Sequence, residues 1–304
     1  MNFYGGEPLL SFELVKNIVL FFASIKEKTK RKPLYTLTTN GILLDKEALQ
    51  FLNKNKFQVE LSFDGLAQDI QRRKESFIKI VSLIKQILID FPEIDLETNS
   101  VFIPETVELL AESLEFILQL GLKSILFNLS FLHFWDDRSL TKFEEQMVKL
   151  RKIVSNHYRN TGEIPFAYFR EKEKKGIFYC SAAKDRMAIS AAGEVWGCFL
   201  FSDYYRVGKN KSMLEKFRFG NLNSPRQIKS SWKKVSHHYK SLLRENFLNL
   251  RPECLECPEL EDCTLCPLSA SFAGSLLKEI PSYVCTIQKI MIKEKKIFAK
   301  KLKI

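Results

Sequence analysis

Cysteine is missing from the first 179 residues of this 304-residue chain, and all seven cysteines fall from Cys180 onward. Whatever thiol chemistry the chain performs therefore belongs to its second part. Histidine is scarce as well, with four in all. His133 has no second ligand residue at useful spacing. His237 and His238 are neighbours in a lysine-rich stretch that reads as helix, where adjacent residues point in different directions. A histidine-based metal site is not expected.

Long apolar runs are also absent. The longest near the start, Ile18 to Ile25, is bracketed by Lys16 and Lys26 and is too short to cross a bilayer. The opening Met-Asn-Phe-Tyr-Gly-Gly lacks the basic region and small-residue cleavage site of a secretory signal, so the expected location is the cytoplasm. Thiols there stay reduced, and an odd cysteine count argues against a disulfide framework. Metal or cluster binding becomes the leading use.

What is present supports a folded body, since 45% hydrophobic composition suffices for a sizeable core. The net charge of +11 comes from basic residues scattered through amphipathic segments without a nucleic-acid motif, so nucleic acid is not the expected partner. From Thr286 to Ile304 seven lysines and one glutamate accompany regularly spaced isoleucines. That pattern reads as a helix with a solvated basic face, with acidic-peptide binding as the sharper alternative.

Periodicity predicts a repeated β–α order. Phe12, Val15, Ile18, Val19, Phe22 and Ile25 have helical spacing, Leu34 to Thr39 reads as strand, and Asp45 to Asn53 as helix. Phe57, Val59, Leu61 and Phe63 alternate as a strand, followed by a helix over Phe77 to Leu88 and a strand over Ile94 to Phe102. A helix over Thr106 to Leu120, a strand over Ser124 to Leu129 and a helix over Leu140 to Tyr158 complete this part. Such an order demands a parallel sheet with functional groups at the carboxyl ends of its strands. Beyond a boundary near Lys172, Met187 to Ser190 and Glu194 to Cys198 flank Ala-Ala-Gly as a hairpin.

The run Cys254-Leu-Glu-Cys257-Pro-Glu-Leu-Glu-Asp-Cys263-Thr-Leu-Cys266 holds two Cys-x-x-Cys pairs, a spacing that brings thiolates onto soft-metal centres. Spacing alone leaves zinc open. The full order adds Cys180, a Gly193-x-x-x-x-Cys198 step and Cys285. This order resembles the SPASM domain that follows a radical S-adenosylmethionine domain and binds auxiliary four-iron four-sulfur clusters. The resemblance implies one auxiliary cluster on Cys254, Cys257, Cys263 and Cys285, and three ligands of another from Cys180, Cys198 and Cys266. Two residues rather than the usual three separate Cys263 from Cys266, which leaves the pairing of thiolates with clusters open.

Asn2-Phe-Tyr-Gly-Gly-Glu-Pro-Leu resembles the Gly-Gly-Glu-Pro motif of the same family, Thr38-Thr-Asn-Gly its third-strand motif, and Leu61-Ser-Phe-Asp-Gly its fourth-strand end. Glycines let backbone approach a ligand, and a glutamate accepts charge-assisted hydrogen bonds from an α-ammonium group. By resemblance, Gly5, Gly6, Glu7, Thr39, Asn40 and Ser62 contact S-adenosylmethionine, and Asp64 handles a proton or touches substrate. Asn128, at a strand end, is either cavity-facing or a structural amide.

The implied fold is α/β: a partial (β/α)6 TIM-like barrel lacking its first strand over residues 1–171, a SPASM domain over 172–290, and a basic helix or tail over 291–304. The family's Cys-x-x-x-Cys-x-x-Cys loop, which holds the catalytic cluster, does not occur in the sequence. The expectation is a chain truncated at its N-terminus. The resemblance implies radical modification of a peptide or protein, with an electron donor such as a flavodoxin or ferredoxin. A catalytically silent cluster-binding or electron-transfer module is the alternative, and a zinc-stabilised scaffold the third.

Overall fold

A computed structural model describes residues 1–25, 33–170, 180–208, 210–243, 252–272, 274 and 277–302. Its contacts divide the chain into two units. One comprises Met1–Ser130, Asp137–Glu171 and Glu294–Ile304, and the other Phe131–Asp136 and Lys172–Lys293.

The first unit is built on five parallel strands in the order of the sequence: β1 (Asn2–Phe3), β2 (Thr36–Thr39), β3 (Gln58–Ser62), β4 (Asp95–Phe102) and β5 (Ser124–Leu129). Between them run α1 (Phe12–Ser24), α2 (Lys46–Lys54), α3 (Ser76–Asp90) and α4 (Leu110–Gln119), and α5 (Asp137–Thr161) follows. The five strands and the β–α alternation agree with the sequence reading. Ends differ where local chemistry intervenes. Asp45 is the N-cap of α2, its carboxylate accepting from the Ala48 N–H at 2.8 Å, so the helix starts one residue later than periodicity suggests.

Parallel strands are usually apolar on both faces. Here they alternate. Leu37, Val59, Leu61, Leu96, Ile125 and Phe127 are buried, whereas Thr36, Gln58, Glu60, Glu97, Asn99, Ser124 and Asn128 occupy the opposite parity. These polar residues bond laterally. Asn128 Nδ2 donates to Asn99 Oδ1 at 2.9 Å, Asn99 Nδ2 to Glu60 Oε1 at 2.8 Å, and Ser124 Oγ to Glu97 Oε2 at 3.1 Å. One face of the sheet is thus largely polar, interrupted by Val101 and Leu126.

The second unit carries a three-stranded antiparallel sheet of β6 (Ala188–Ile189), β7 (Glu194–Trp196) and β8 (Arg218–Asn221), with α6 (Phe199–Val207) and α7 (Pro225–Lys240). Trp196, Phe201, Phe217, Phe219 and Tyr239 form its aromatic core. The predicted hairpin is present but shorter, so Cys198 lies past the strand as the N-cap of α6. β8 was not legible in the sequence, because four residues ending Gly-Asn give too brief an alternation.

The last helix, α8 (Ser282–Leu302), takes the basic segment as predicted, with residues 303–304 outside the described residues. Among the described residues no helix is long and apolar enough to cross a membrane.

Within the first unit, Arg151 of α5 donates from Nε to Glu294 Oε2 of α8 at 2.5 Å, with the carboxylate side chain 1% exposed. Removing one partner of a buried pair leaves an uncompensated charge. Arg151→Met should therefore cost about 3–5 kcal/mol in urea denaturation, and adding Glu294→Leu should restore most of it.

Candidate functional site

Two groups of predicted residues can be built up from the chain. The first lies at the carboxyl ends of β1, β2 and β3. Glu7 starts the 3-10 turn Pro8–Ser11, where proline at the first position needs no N–H partner. Its carboxylate reaches the next strand, Oε1 accepting from Thr39 Oγ1 at 2.8 Å and Oε2 from the Asn40 N–H at 2.9 Å. Thr39 is in turn fixed by the Gly41 N–H at 3.1 Å, and Asn40 Oδ1 accepts from the Ile42 N–H at 2.9 Å. Glu7, Thr39 and Asn40 therefore form one hydrogen-bonded group. Gly5 and Gly6 precede it at φ +100° and +51°, with open space where a side chain would stand. Their backbone conformation, not crowding, requires glycine.

Glu7 and Asn40 line a cavity of about 440 Å³ with Leu10, Ile42, Leu43, Gln68, Arg72, Arg73 and Ser76. The last four were missed in the sequence. Two adjacent arginines eight and nine residues after Asp64, just before a helix, were the available signal.

Asp64, the residue expected to handle a proton or touch substrate, is 1% exposed and lies behind the cavity wall. Arg72 grips the carboxylate through Nε and through Nη2, the latter 3.1 Å from Oδ1, and the Val101 N–H donates to Oδ1 at 2.8 Å. This environment suits an anchor that holds Arg72 at the cavity wall. Ser62, half-buried at the end of β3 opposite Asn99, does not line the cavity. Asn128 is exposed and bonds to Asn99. Glu97, on the polar face, has its carboxyl pushed up chiefly by burial and further by Glu60 and Asp95, while Ser124 and Arg170 oppose the rise.

The second group lies in the cysteine-bearing unit. Cys254, Cys257, Cys263 and Cys285 line one small cavity of about 40 Å³, closed by Leu260, Leu265, Ile280 and Ile292. Burial pushes the Cys263 thiol up to about 11, and Cys285, Cys254 and Cys257 add to the rise, so the four feel one another. Cys180, Cys198 and Cys266 interact in the same way: Cys198 is pushed up to about 11, first by burial and then by Cys266 and Cys180. The opposing influences are backbone N–H groups. Those of Ala182, Leu200 and Leu265 favour the ionised sulfurs of Cys180, Cys198 and Cys263 respectively, and those of Ser269 and then Leu268 favour that of Cys266. None of the seven is cross-linked in a disulfide.

Among the described residues, no three His, Cys, Asp or Glu side chains converge as ligands of a single metal ion. The four cysteines frame a cavity instead, an arrangement compatible with a polynuclear centre. Thiolates supplied with N–H donors are the donor set that iron–sulfur clusters take.

No protein-family model matches the chain. The radical SAM cyclopropyl synthase TigE of Paramaledivibacter caminithermalis is 21% identical over 313 residues, covering 98% of this chain. The chain spans 61% of that relative's length. Among solved structures, anSMEcpe with bound AdoMet aligns with a TM-score of 0.68 at 18% identity, covering 98% of this chain and 78% of that one. Streptococcus suis SuiB bound to S-adenosylmethionine aligns at 0.55 and 18% identity, covering 92% and 64%. The chain shares the fold of anSMEcpe and SuiB, and the radical SAM resemblance read from its motifs recurs in the name of TigE.

A metal-free sample offers a check on the thiols. A raised folded-state pKa means that folding favours the neutral thiol, so this stabilisation is complete below the ordinary value of 9.0 and is lost as pH rises through about 11. The urea midpoint of metal-free protein should fall between pH 9 and 11, and Cys263→Ser should flatten part of that fall.

Proposed function

We propose that this chain is the S-adenosylmethionine-binding body and auxiliary-cluster domain of a radical SAM enzyme that modifies a peptide. The observation that carries the reading is the cavity shared by Glu7 and Arg73, to which the first two motifs contribute Glu7 and Asn40. A carboxylate and a guanidinium facing one space match the ammonium and carboxylate of an amino acid. Leu10, Ile42 and Leu43 give the same space an apolar wall for the rest of the ligand.

In this reading Thr39 and the Asn40 N–H orient Glu7 towards the ammonium group, Asp64 holds Arg72 in the wall, and Arg73 meets the carboxylate. Gly5 and Gly6 keep the approach open. The four cysteines of the small cavity hold one auxiliary cluster, and Cys180, Cys198 and Cys266 contribute to a second. When loaded and reduced, a radical SAM centre supplies a 5′-deoxyadenosyl radical that takes a hydrogen from the substrate. The Cys-x-x-x-Cys-x-x-Cys ligand loop of that centre does not occur in these 304 residues, so none of them is assigned to holding it.

A peptide substrate is supported by the relatives' own ligands. anSMEcpe is aligned with a bound Kp18Cys peptide, and SuiB with the precursor peptide SuiA. The polar sheet face carrying Glu60, Glu97 and Asn99 provides hydrogen-bonding groups for such a substrate. An external electron donor of the flavodoxin or ferredoxin kind belongs to the same proposal.

Equilibrium dialysis with S-adenosylmethionine tests the cavity. Glu7→Gln and Arg73→Ala should each weaken binding by about tenfold, or about 1.4 kcal/mol. Unchanged affinity in both would remove the cavity from the account.

A further inference from the structure

Behind Cys198 stands a phenol that belongs to none of the sequence motifs. Tyr239 of α7 is 3% exposed, and its hydroxyl is used in both directions. It accepts from the Gly197 N–H at 2.8 Å and donates to the Phe217 carbonyl at 2.8 Å. Gly197 immediately precedes Cys198. On its other side, the Gly197 carbonyl accepts from the Ala183 N–H at 3.1 Å, in the loop that begins at Cys180.

The fit leaves no slack. A Cβ on Gly197 would stand 2.6 Å from Tyr239 Cζ and 2.8 Å from the Ala183 nitrogen, so this residue is gripped between the ring and the Cys180 loop. The ring itself is seated among Phe201, Phe217 and Phe219, with centroids 5.0, 5.1 and 5.9 Å away. One hydroxyl therefore ties α7, the approach to β8 and the segment presenting Cys198 into a single rigid unit, next to the loop presenting Cys180.

We propose that Tyr239 is a positioning residue for the three-cysteine site: its hydroxyl fixes the Gly197 backbone and thereby the direction in which Cys198 presents its sulfur beside Cys180. This inference rests on the reading of Cys180, Cys198 and Cys266 as cluster ligands. Tyr239→Phe keeps the ring and removes only the hydroxyl. It leaves the Gly197 N–H and the Phe217 carbonyl buried without this partner, so the Cys198 segment loses its anchor while the core keeps its packing.

The test is anaerobic reconstitution of the 304-residue chain with iron and sulfide, read by iron content and by the electron paramagnetic resonance spectrum after reduction. Cys198→Ala identifies the contribution of the three-cysteine site by removing roughly half of the iron and one component of the spectrum. Tyr239→Phe should shift or abolish that same component while leaving the four-cysteine component intact. Phe219→Leu, which loosens the same core but keeps the hydroxyl, should lower the melting temperature without moving the component. A wild-type spectrum at full iron content in Tyr239→Phe would overturn the proposal, as would an equal perturbation by Phe219→Leu. Iron content and spectrum insensitive to Cys198→Ala would overturn the cluster reading itself, and this inference with it.

Discussion

Strands β2 to β5 give alternate positions to polar side chains, although parallel strands ordinarily bury apolar residues on both faces. Burying such groups without partners is costly, and the sheet offsets part of that cost by lateral bonds such as Asn128 to Asn99 and Asn99 to Glu60, while the Thr38 and Thr98 hydroxyls are buried without a hydrogen-bond partner. Most of the apolar positions then lie on the buried face, with Val101 and Leu126 on the other. The other face remains available to a polar ligand or substrate, and the loops at the strand ends can be spent on binding.

Glu7 shows how those loops are held. Its carboxylate spans the ends of β1 and β2 through Thr39 and the Asn40 N–H, so the loops that shape the cavity position one another. Asp64 does the same work one strand further on, through Arg72 and the Val101 N–H. In the cysteine-bearing unit the equivalent task falls to aromatic packing and to N–H groups aimed at sulfur. Burial pushes the thiols of Cys198 and Cys263 up to about 11, and those N–H groups oppose the rise.

Much of this was legible in the sequence. The β–α alternation gave five strands in order, and Glu7 from one motif is joined by direct hydrogen bonds to Thr39 and Asn40 from another. Other features were illegible for physical reasons. Arg73 lies in the short irregular segment before α3 and Ser76 opens that helix, positions that no periodicity records. Asp64 itself stands in an Asp-Gly pair that looks like a turn or a reactive group, and its burial against Arg72 is a tertiary feature that the pair does not announce. Tyr239 is one aromatic among many in a basic helix, and its importance lies in a bond 42 residues away in sequence.

The central claim, that the seven cysteines serve iron–sulfur clusters on a SAM-binding body, is tested most directly by measuring iron, sulfide and zinc in protein purified without oxygen. The account predicts iron and sulfide in equal amounts, enough for two clusters, with no stoichiometric zinc. Zinc bound stoichiometrically in the absence of iron would contradict it.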